Sequence, residues 1–321
     1  MHSNRVLLAA ATAVIVGSAA NEAAESTKLP VFFFHGATGN KTNAHVIEAN
    51  LTAEGRTYVA LDFCEKACSV RTSLPDQVQM AIKQVREIVA KDTATYANGY
   101  HFLAHSQGGS VARGVVEEMD DHNVHSLVSL AGNSNGGFYG PQAEDAMPLQ
   151  VILKSLGPYA IDSTDFNFTK YDSDPSTWKG KFQRDFTELA MSNEELQAKS
   201  SIMNSFLPPL EVVALENWLK INPFLPKVNN LQNCGKDTKC TADQARRKAN
   251  FVKLKASHFF VSPQDDILSP WQTAVFGKYS AVATLDEIET KFADLTMVSM
   301  KDTVEYTKDL YGLKTLDTAG G

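Results

Sequence analysis

Apolar and polar positions divide the chain into alternating strands and helices. Lys28-Leu29-Pro30 leads into V-F-F-F, an unbroken apolar run that suits a central strand buried on both faces. The loop His35-Gly36-Ala37-Thr38-Gly39 follows. N-A-H-V-I-E-A-N-L then precedes Glu54-Gly55, which predicts a helix closed by a glycine, and T-Y-V-A-L-D-F predicts a second strand. From Leu74-Pro75-Asp76 onward, Val78, Ile82, Val85 and Val89 fall at i, i+4, i+7 and i+11, one face of a helix with proline near its start. Y-H-F-L-A predicts a third strand, S-V-A-R-G-V-V-E-E-M a helix, and H-S-L-V-S-L-A-G a fourth strand. Strands separated by helices, with no hairpin signal between them, predict an α/β fold: a mostly parallel sheet with helices on both faces.

After Gly136-Gly137 the pattern changes. Residues from about 138 to 249 are rich in Pro, Asn, Ser and aromatics, with short helical patches at T-E-L-A-M-S-N-E-E-L and L-E-V-V-A-L-E-N-W-L. The expectation is a largely helical lid inserted over the sheet. Its Phe, Leu, Met and Trp side chains either line an apolar groove or pack the lid on the body. A strand pattern returns at F-V-K-L-K-A-S-H-F-F-V, and the loop S-P-Q-D-D-I-L-S-P from Ser262 to Pro270 follows it.

The start of the chain reads differently. After Arg5, V-L-L-A-A-A-T-A-V-I-V is apolar but shorter than the roughly 20 residues a bilayer span needs. Gly17-Ser18-Ala19-Ala20 supplies small residues, so residues 1–20 are expected to be a secretory signal peptide cut after Ala20, with the folded domain at 28–321. No other run is long and apolar enough to span. Composition adds little: 43% hydrophobic and 21% charged residues are ordinary for a globular protein. A net charge of −7 without a long basic run argues against a nucleic-acid partner.

Export changes how the cysteines read. Cys64 with Cys68, and Cys234 with Cys240, are expected to form two short-range disulfides, although spacing alone leaves cross-pairing open. Zinc is disfavoured because neither pair has C-x2-C spacing and no histidine lies at a matching offset. Asn40, Asn50 and Asn167 begin N-x-T sequons and are expected to be glycosylated surface positions.

The chemistry centres on Ala104-His105-Ser106-Gln107-Gly108, where a strand meets a helix through a serine flanked by small residues. That is the layout of a nucleophile elbow, written A-x-S-x-G. A serine hydroxyl needs a base to take its proton, and the oxyanion it creates needs N–H donors already aimed at it. The donors expected are Gln107, which follows the nucleophile, and Ala37, in the loop after the first strand. The acid is expected downstream on the 262–270 loop, as Asp265 or Asp266. No histidine follows Asp266. His258 precedes the acid on a strand, His35 reads as structural, and His105 is held facing away by the elbow.

Several stretches together resemble the palmitoyl-protein thioesterases, an α/β-hydrolase family of the lysosome. They are H-G-A-T-G at 35, H-S-Q-G-G at 105, A-G-N-S-N-G-G-F-Y-G-P at 131 and N-W-L-K-I-N-P-F-L-P-K-V-N-N at 217. Q-D-D-I-L-S-P at 264, V-F-G-K-Y at 275 and Y-T-K-D-L-Y-G-L-K-T-L-D-T-A-G at 306 complete them. The resemblance implies Ser106 as nucleophile, Ala37 and Gln107 as oxyanion donors, and Asp265 as the acid. It implies hydrolysis of thioesters between long acyl chains and cysteine in S-acylated proteins or peptides. The acyl chain would lie in a groove under the lid, with no cofactor, in a lysosomal or secreted protein. It also implies a final strand and a G-D-H segment carrying the catalytic histidine, which would fall after Gly321. The expectation is therefore a C-terminally truncated hydrolase. The alternatives are a general lipase or carboxylesterase, and a non-catalytic homologue that binds acylated ligands.

Overall fold

A computed structural model describes residues 28–171 and 178–321. The expected signal peptide lies outside the described residues. Strand β1 (Val31–Phe34) is buried at every position, because both of its faces are covered. Phe32 and Phe34 face the main core with Tyr100 and Phe102, while Val31 and Phe33 face a smaller cluster with Ala44 and Leu103. Helix α1 (His45–Ala53) covers that second face and leads to β2 (Tyr58–Ala60). A short helix α2 (Cys68–Arg71) precedes α3 (Leu74–Lys91). In α3 the Ser73 hydroxyl accepts from the Asp76 N–H and proline sits in the first turn. Of the stripe the spacing predicts, Val78, Ile82 and Val85 are buried and Val89 packs half-buried against the core, with Leu74 also buried.

A single-turn helix α4 (Thr93–Tyr96) leads to β3 (Tyr100–His105), then α5 (Gln107–Glu118) and β4 (Val124–Leu130). All but the last residue of α5 are buried, since the helix packs on the sheet and against α3 and the helix Thr238–Phe251. The region expected as the lid is built from short helices: α6 (Ala146–Val151), α7 (Gly157–Ala160), α8 (Lys179–Ser192), α9 (Glu194–Lys199) and α10 (Ser201–Asn204). Next come α11 (Glu216–Ile221), α12 (Leu225–Val228) and α13 (Thr238–Phe251). Strand β5 (Ala256–Phe260) follows, so the sheet is parallel throughout, in the order β2-β1-β3-β4-β5. This is the α/β-hydrolase arrangement expected.

Two details depart from the sequence reading. The run from Phe251 to Val261 is not all strand: α13 continues through Phe251, whose ring is fully buried edge-on against Tyr311, and only Ala256–Phe260 pairs with β4. The 187–196 patch is two helices, because the Asn193 side chain accepts from the Leu196 N–H and caps α9. Beyond the acid loop, β6 (Lys278–Tyr279) and β7 (Met297–Val298) form a small antiparallel pair around α14 (Leu285–Thr290). Then α15 (Val304–Thr307) and α16 (Leu313–Thr318) close the described chain. Among the described residues strand β5 pairs only with β4, and Phe260 on it is 57% exposed.

Cys64–Cys68 and Cys234–Cys240 are both bridged, at Cα separations of 4.9 and 5.4 Å. Among the described residues no helix is long and apolar enough to cross a membrane. No cluster of three or more His, Cys, Asp or Glu side chains is placed to hold a metal there.

The least expected feature of the core is charged. Arg113 and Glu117, one turn apart on α5, are buried at 2% and 0% exposure and bonded at 2.8 Å. Burial pushes the Glu117 carboxyl up to about 7, with Arg113 pulling the other way. The sign of the linkage follows from that direction. An acid whose folded-state pKa is raised favours the fold most when protonated, and that contribution fades as pH climbs from about 4.5 through about 7. Thermal melting of the chain should therefore weaken from about pH 5 to about pH 8, and Glu117→Gln should remove much of the difference. An unchanged pH slope in that variant would show that other groups set it.

Candidate active site

The elbow is built by close backbone contacts. Ser106, between β3 and α5, has φ 54° and ψ −127°, a conformation that is strained for a residue with a side chain. Its own N–H donates to the Leu130 carbonyl at 3.0 Å, which anchors the turn to β4. A Cβ placed on Gly36 would stand 2.9 Å from the Ser106 Cβ, and one on Gly108 would stand 2.3 Å from the Phe34 carbonyl oxygen. Ala104 is fully buried. These contacts explain the small residues around the serine: the turn fits only where α5 and the 35–39 loop approach without side chains.

Ser106 lines a cavity of about 80 Å³ together with Ala37 and Gln107. Its other walls come mainly from the region after β4: Tyr139, Leu156, Phe186, Ile202 and Phe206, joined by Ile267 and Leu268 from the acid loop. Gln107 opens α5, so its N–H has no carbonyl a turn earlier to bond. The Ala37 N–H likewise makes no hydrogen bond among the described residues. Ala37 and Gln107, the two residues expected to donate, thus line one cavity with Ser106. His35 is buried, stacked on Phe63, with Nε2 2.7 Å from the Phe63 carbonyl, in keeping with a structural role.

The two candidate acids differ. Asp265 is half-buried, and its Oδ1 accepts from the Ile267 and Leu268 N–H groups at 2.9 and 2.8 Å, so the carboxylate is held by its own turn. Asp266 is exposed. Asp265 also acts on His105. The surrounding chain withdraws water from that imidazole and lowers its pKa, while the Asp265 charge pulls it back up, although part of the ring still reaches solvent.

No imidazole hydrogen-bonds Ser106 or Asp265 among the described residues. His258 lies mid-strand on β5, exposed, and His101 is bonded to the Ser126 hydroxyl at 2.6 Å. His122 lies 3.0 Å from the Asn250 carbonyl, and His125 packs edge-on against His101. His45 begins α1.

Sequence reasoning missed Asn133 and Thr273, which also line the cavity. The Asn133 N–H donates to the Ser106 carbonyl at 3.3 Å, its carbonyl accepts from Ser110 Oγ, and its Oδ1 lies 3.5 Å from Thr273 Oγ1. Three of the motif stretches, those at 131, 264 and 275, meet in one contact set. The Phe138 N–H donates to the Ser269 carbonyl at 2.7 Å, Ser269 Oγ returns a bond to the Phe138 carbonyl, and the Tyr279 ring fills the space beside Gly140. Tyr279 in turn donates its hydroxyl to Asp145.

The sequon asparagines lie apart from the cavity. In the first and third, Oδ1 accepts from the threonine two residues on: Asn40 from Thr42, and Asn167 from Thr169. Asn50 instead sits inside α1, donating to the Val46 carbonyl. Asn50 and Asn167 are exposed and Asn40 is half-exposed.

The family model described as Palmitoyl protein thioesterase matches residues 30–321. A bovine protein named lysosomal thioesterase PPT2 (Bos taurus) is 29% identical over 293 residues, covering 91% of this chain and 77% of its own. The human protein of that name (Homo sapiens) is 28% identical, with 91% and 78% covered. The frog lysosomal thioesterase PPT2-B (Xenopus laevis) is 27% identical over 69% of this chain, and the match spans 58% of the frog protein.

Proposed function

The chain belongs to the palmitoyl protein thioesterase family, and from that premise we propose that it is a serine hydrolase of long-chain acyl thioesters. In this reading the substrates are S-acylated cysteines of proteins or peptides, and the protein works in the lysosome or outside the cell. The observation that carries the reading is the cavity in which the strained Ser106 meets two unbonded N–H donors and a largely apolar wall.

The Ser106 hydroxyl attacks the thioester carbonyl, and its proton passes to an imidazole base. The carbonyl oxygen, now negative, takes hydrogen bonds from the Ala37 and Gln107 N–H groups. Collapse of that intermediate breaks the C–S bond, the base returns the proton to the cysteine sulfur, and the acyl group remains on Ser106. Water, deprotonated by the same base, then releases the fatty acid. Asp265 orients the imidazole and stabilises its cationic form. Phe186, Ile202 and Phe206 offer the acyl chain an apolar bed.

This mechanism requires an imidazole that none of the described residues places at Ser106. Without a placed base both steps slow, but acylation starts from a reactive thioester while deacylation must hydrolyse a less reactive oxygen ester on Ser106, so deacylation is the slower. An acyl-enzyme should therefore accumulate. Incubated with a palmitoyl thioester and free imidazole as a diffusible base, the chain should gain one acyl group at Ser106, seen by intact mass and peptide mapping. Ser106→Ala should gain none, and an oxygen ester of equal chain length should react more slowly. An adduct of equal yield in Ser106→Ala would sink the nucleophile assignment. Equal rates for the two esters would favour a general carboxylesterase. Saturable acyl binding with no adduct would favour the acyl-binding reading.

A further inference from the structure

The two oxyanion donors come from segments far apart in sequence, yet one buried residue touches the backbone or side chain beside each. Ser69, fully buried in α2, accepts the Thr38 N–H on its Oγ at 2.7 Å. Thr38 has a positive φ of 58° and directly follows Ala37, so this bond fixes the turn that aims the Ala37 N–H. The Ser69 carbonyl accepts the side-chain amide of Gln107 at 2.8 Å, and Gln107 carries the other donor on its backbone. The same carbonyl takes the Gln77 amide at 2.8 Å and lies 2.8 Å from Ser201 Oγ in α10. All three of these partners are buried.

We propose that Ser69 is a positioning residue that holds the Ala37 and Gln107 donors at one spacing, and that the Cys64–Cys68 disulfide holds Ser69 in place. The disulfide closes the loop immediately before Ser69. Within that loop the Lys66 N–H donates to the Gly39 carbonyl at 2.8 Å, and the Lys66 carbonyl accepts from both the backbone N–H and the hydroxyl of Ser69. The far end of the oxyanion loop is thus tied to the disulfide loop a second time. Donors fixed beforehand stabilise the oxyanion without reorganising as it forms, so the spacing acts on the transition state and hardly on substrate binding.

The inference rests on the oxyanion assignment proposed above, and the experiment separates the two. Single-turnover acylation of Ser106 by a palmitoyl thioester is followed in the 321-residue chain with free imidazole present. Ser69→Ala is expected to lower the maximal acylation rate about ten- to a hundredfold, less than loss of a whole donor, with the half-saturating thioester concentration unchanged within about twofold. The paired Cys64→Ser, Cys68→Ser variant keeps Ser69 but frees its loop, and should show the same split to a smaller degree; it carries the test if Ser69→Ala fails to fold. A folded variant with a wild-type maximal rate, or one in which only half-saturation moves, overturns the proposal. Absence of any Ser106 adduct in the wild-type chain overturns the oxyanion reading itself and this inference with it.

Discussion

Steady-state hydrolysis of a palmitoyl thioester by the 321-residue chain should run about a million-fold below a serine hydrolase with its base in place, the loss that follows removal of a triad histidine. The reason is geometric. Ser106 lines the cavity, the Ala37 and Gln107 N–H groups make no hydrogen bond among the described residues and Asp265 is held by its turn, but no described imidazole hydrogen-bonds either Ser106 or Asp265. Binding and oxyanion stabilisation still operate, so a residual rate of about a thousandfold over water is expected, which Ser106→Ala should change little, as in other hydrolases lacking a triad member. Free imidazole should raise that residual rate in proportion to its unprotonated concentration. The measurement is thiol release from the thioester over hours, compared with Ser106→Ala. Turnover at an ordinary enzymatic rate, lost in Ser106→Ala, would overturn the expectation. It would point to His105, the described histidine whose charge feels Asp265, and His105→Ala would then abolish the activity.

What could be read in the sequence was local in period. The V-F-F-F strand, the proline-started α3 and the elbow between Ala104 and Gly108 all announce themselves within a few residues, because strand and helix periods and close backbone approach leave marks at short range. The disulfides were legible for the same reason, their partners lying four and six positions apart. Choosing Asp265 over Asp266 needed the resemblance, since only the folded turn shows which carboxylate accepts the backbone N–H pair. Ser69 was not legible at all. Its partners lie at 38, 77, 107 and 201, and nothing in C-S-V-R marks a serine that holds two loops. The end of α13 misled because Phe251 and Val252 suit either a strand or the buried end of a helix, and packing on Tyr311 decided it.

Arg113 was equally hidden, reading as a polar break in an apolar helix, and its replacement should be the most damaging single change to stability. Its guanidinium sits 4.1 Å from the Tyr311 ring centroid and 5.5 Å from that of Phe276. It donates to Glu117 at 2.8 Å, to the Ser134 carbonyl at 2.8 Å and to the Val228 carbonyl at 2.6 Å. One side chain on the elbow helix therefore joins the loop after β4, helix α12 and the C-terminal Y-G-L-K stretch. Arg113→Ala would orphan those two carbonyls and leave Glu117 buried without its bonded counter-charge, with Arg247 still acting on it and one of its oxygens having no partner even now. Breaking a buried pair from one side costs about 3–5 kcal/mol, a large part of the roughly 5–15 kcal/mol that holds a domain together. The pH dependence identifies the cause. Without Arg113 the Glu117 carboxyl loses the largest influence that lowers its pKa, so the charged form becomes still harder to bury. The penalty should accordingly be largest above about pH 7 and smaller near pH 5, where Glu117 is protonated in the folded chain. Urea unfolding at both pH values reads this directly, and the Arg113→Ala, Glu117→Gln double variant should recover part of the loss at the higher pH. A penalty below about 1 kcal/mol, or one equal at both pH values, would mean that the carbonyl and ring contacts, not the buried charge, are what Arg113 supplies to the elbow.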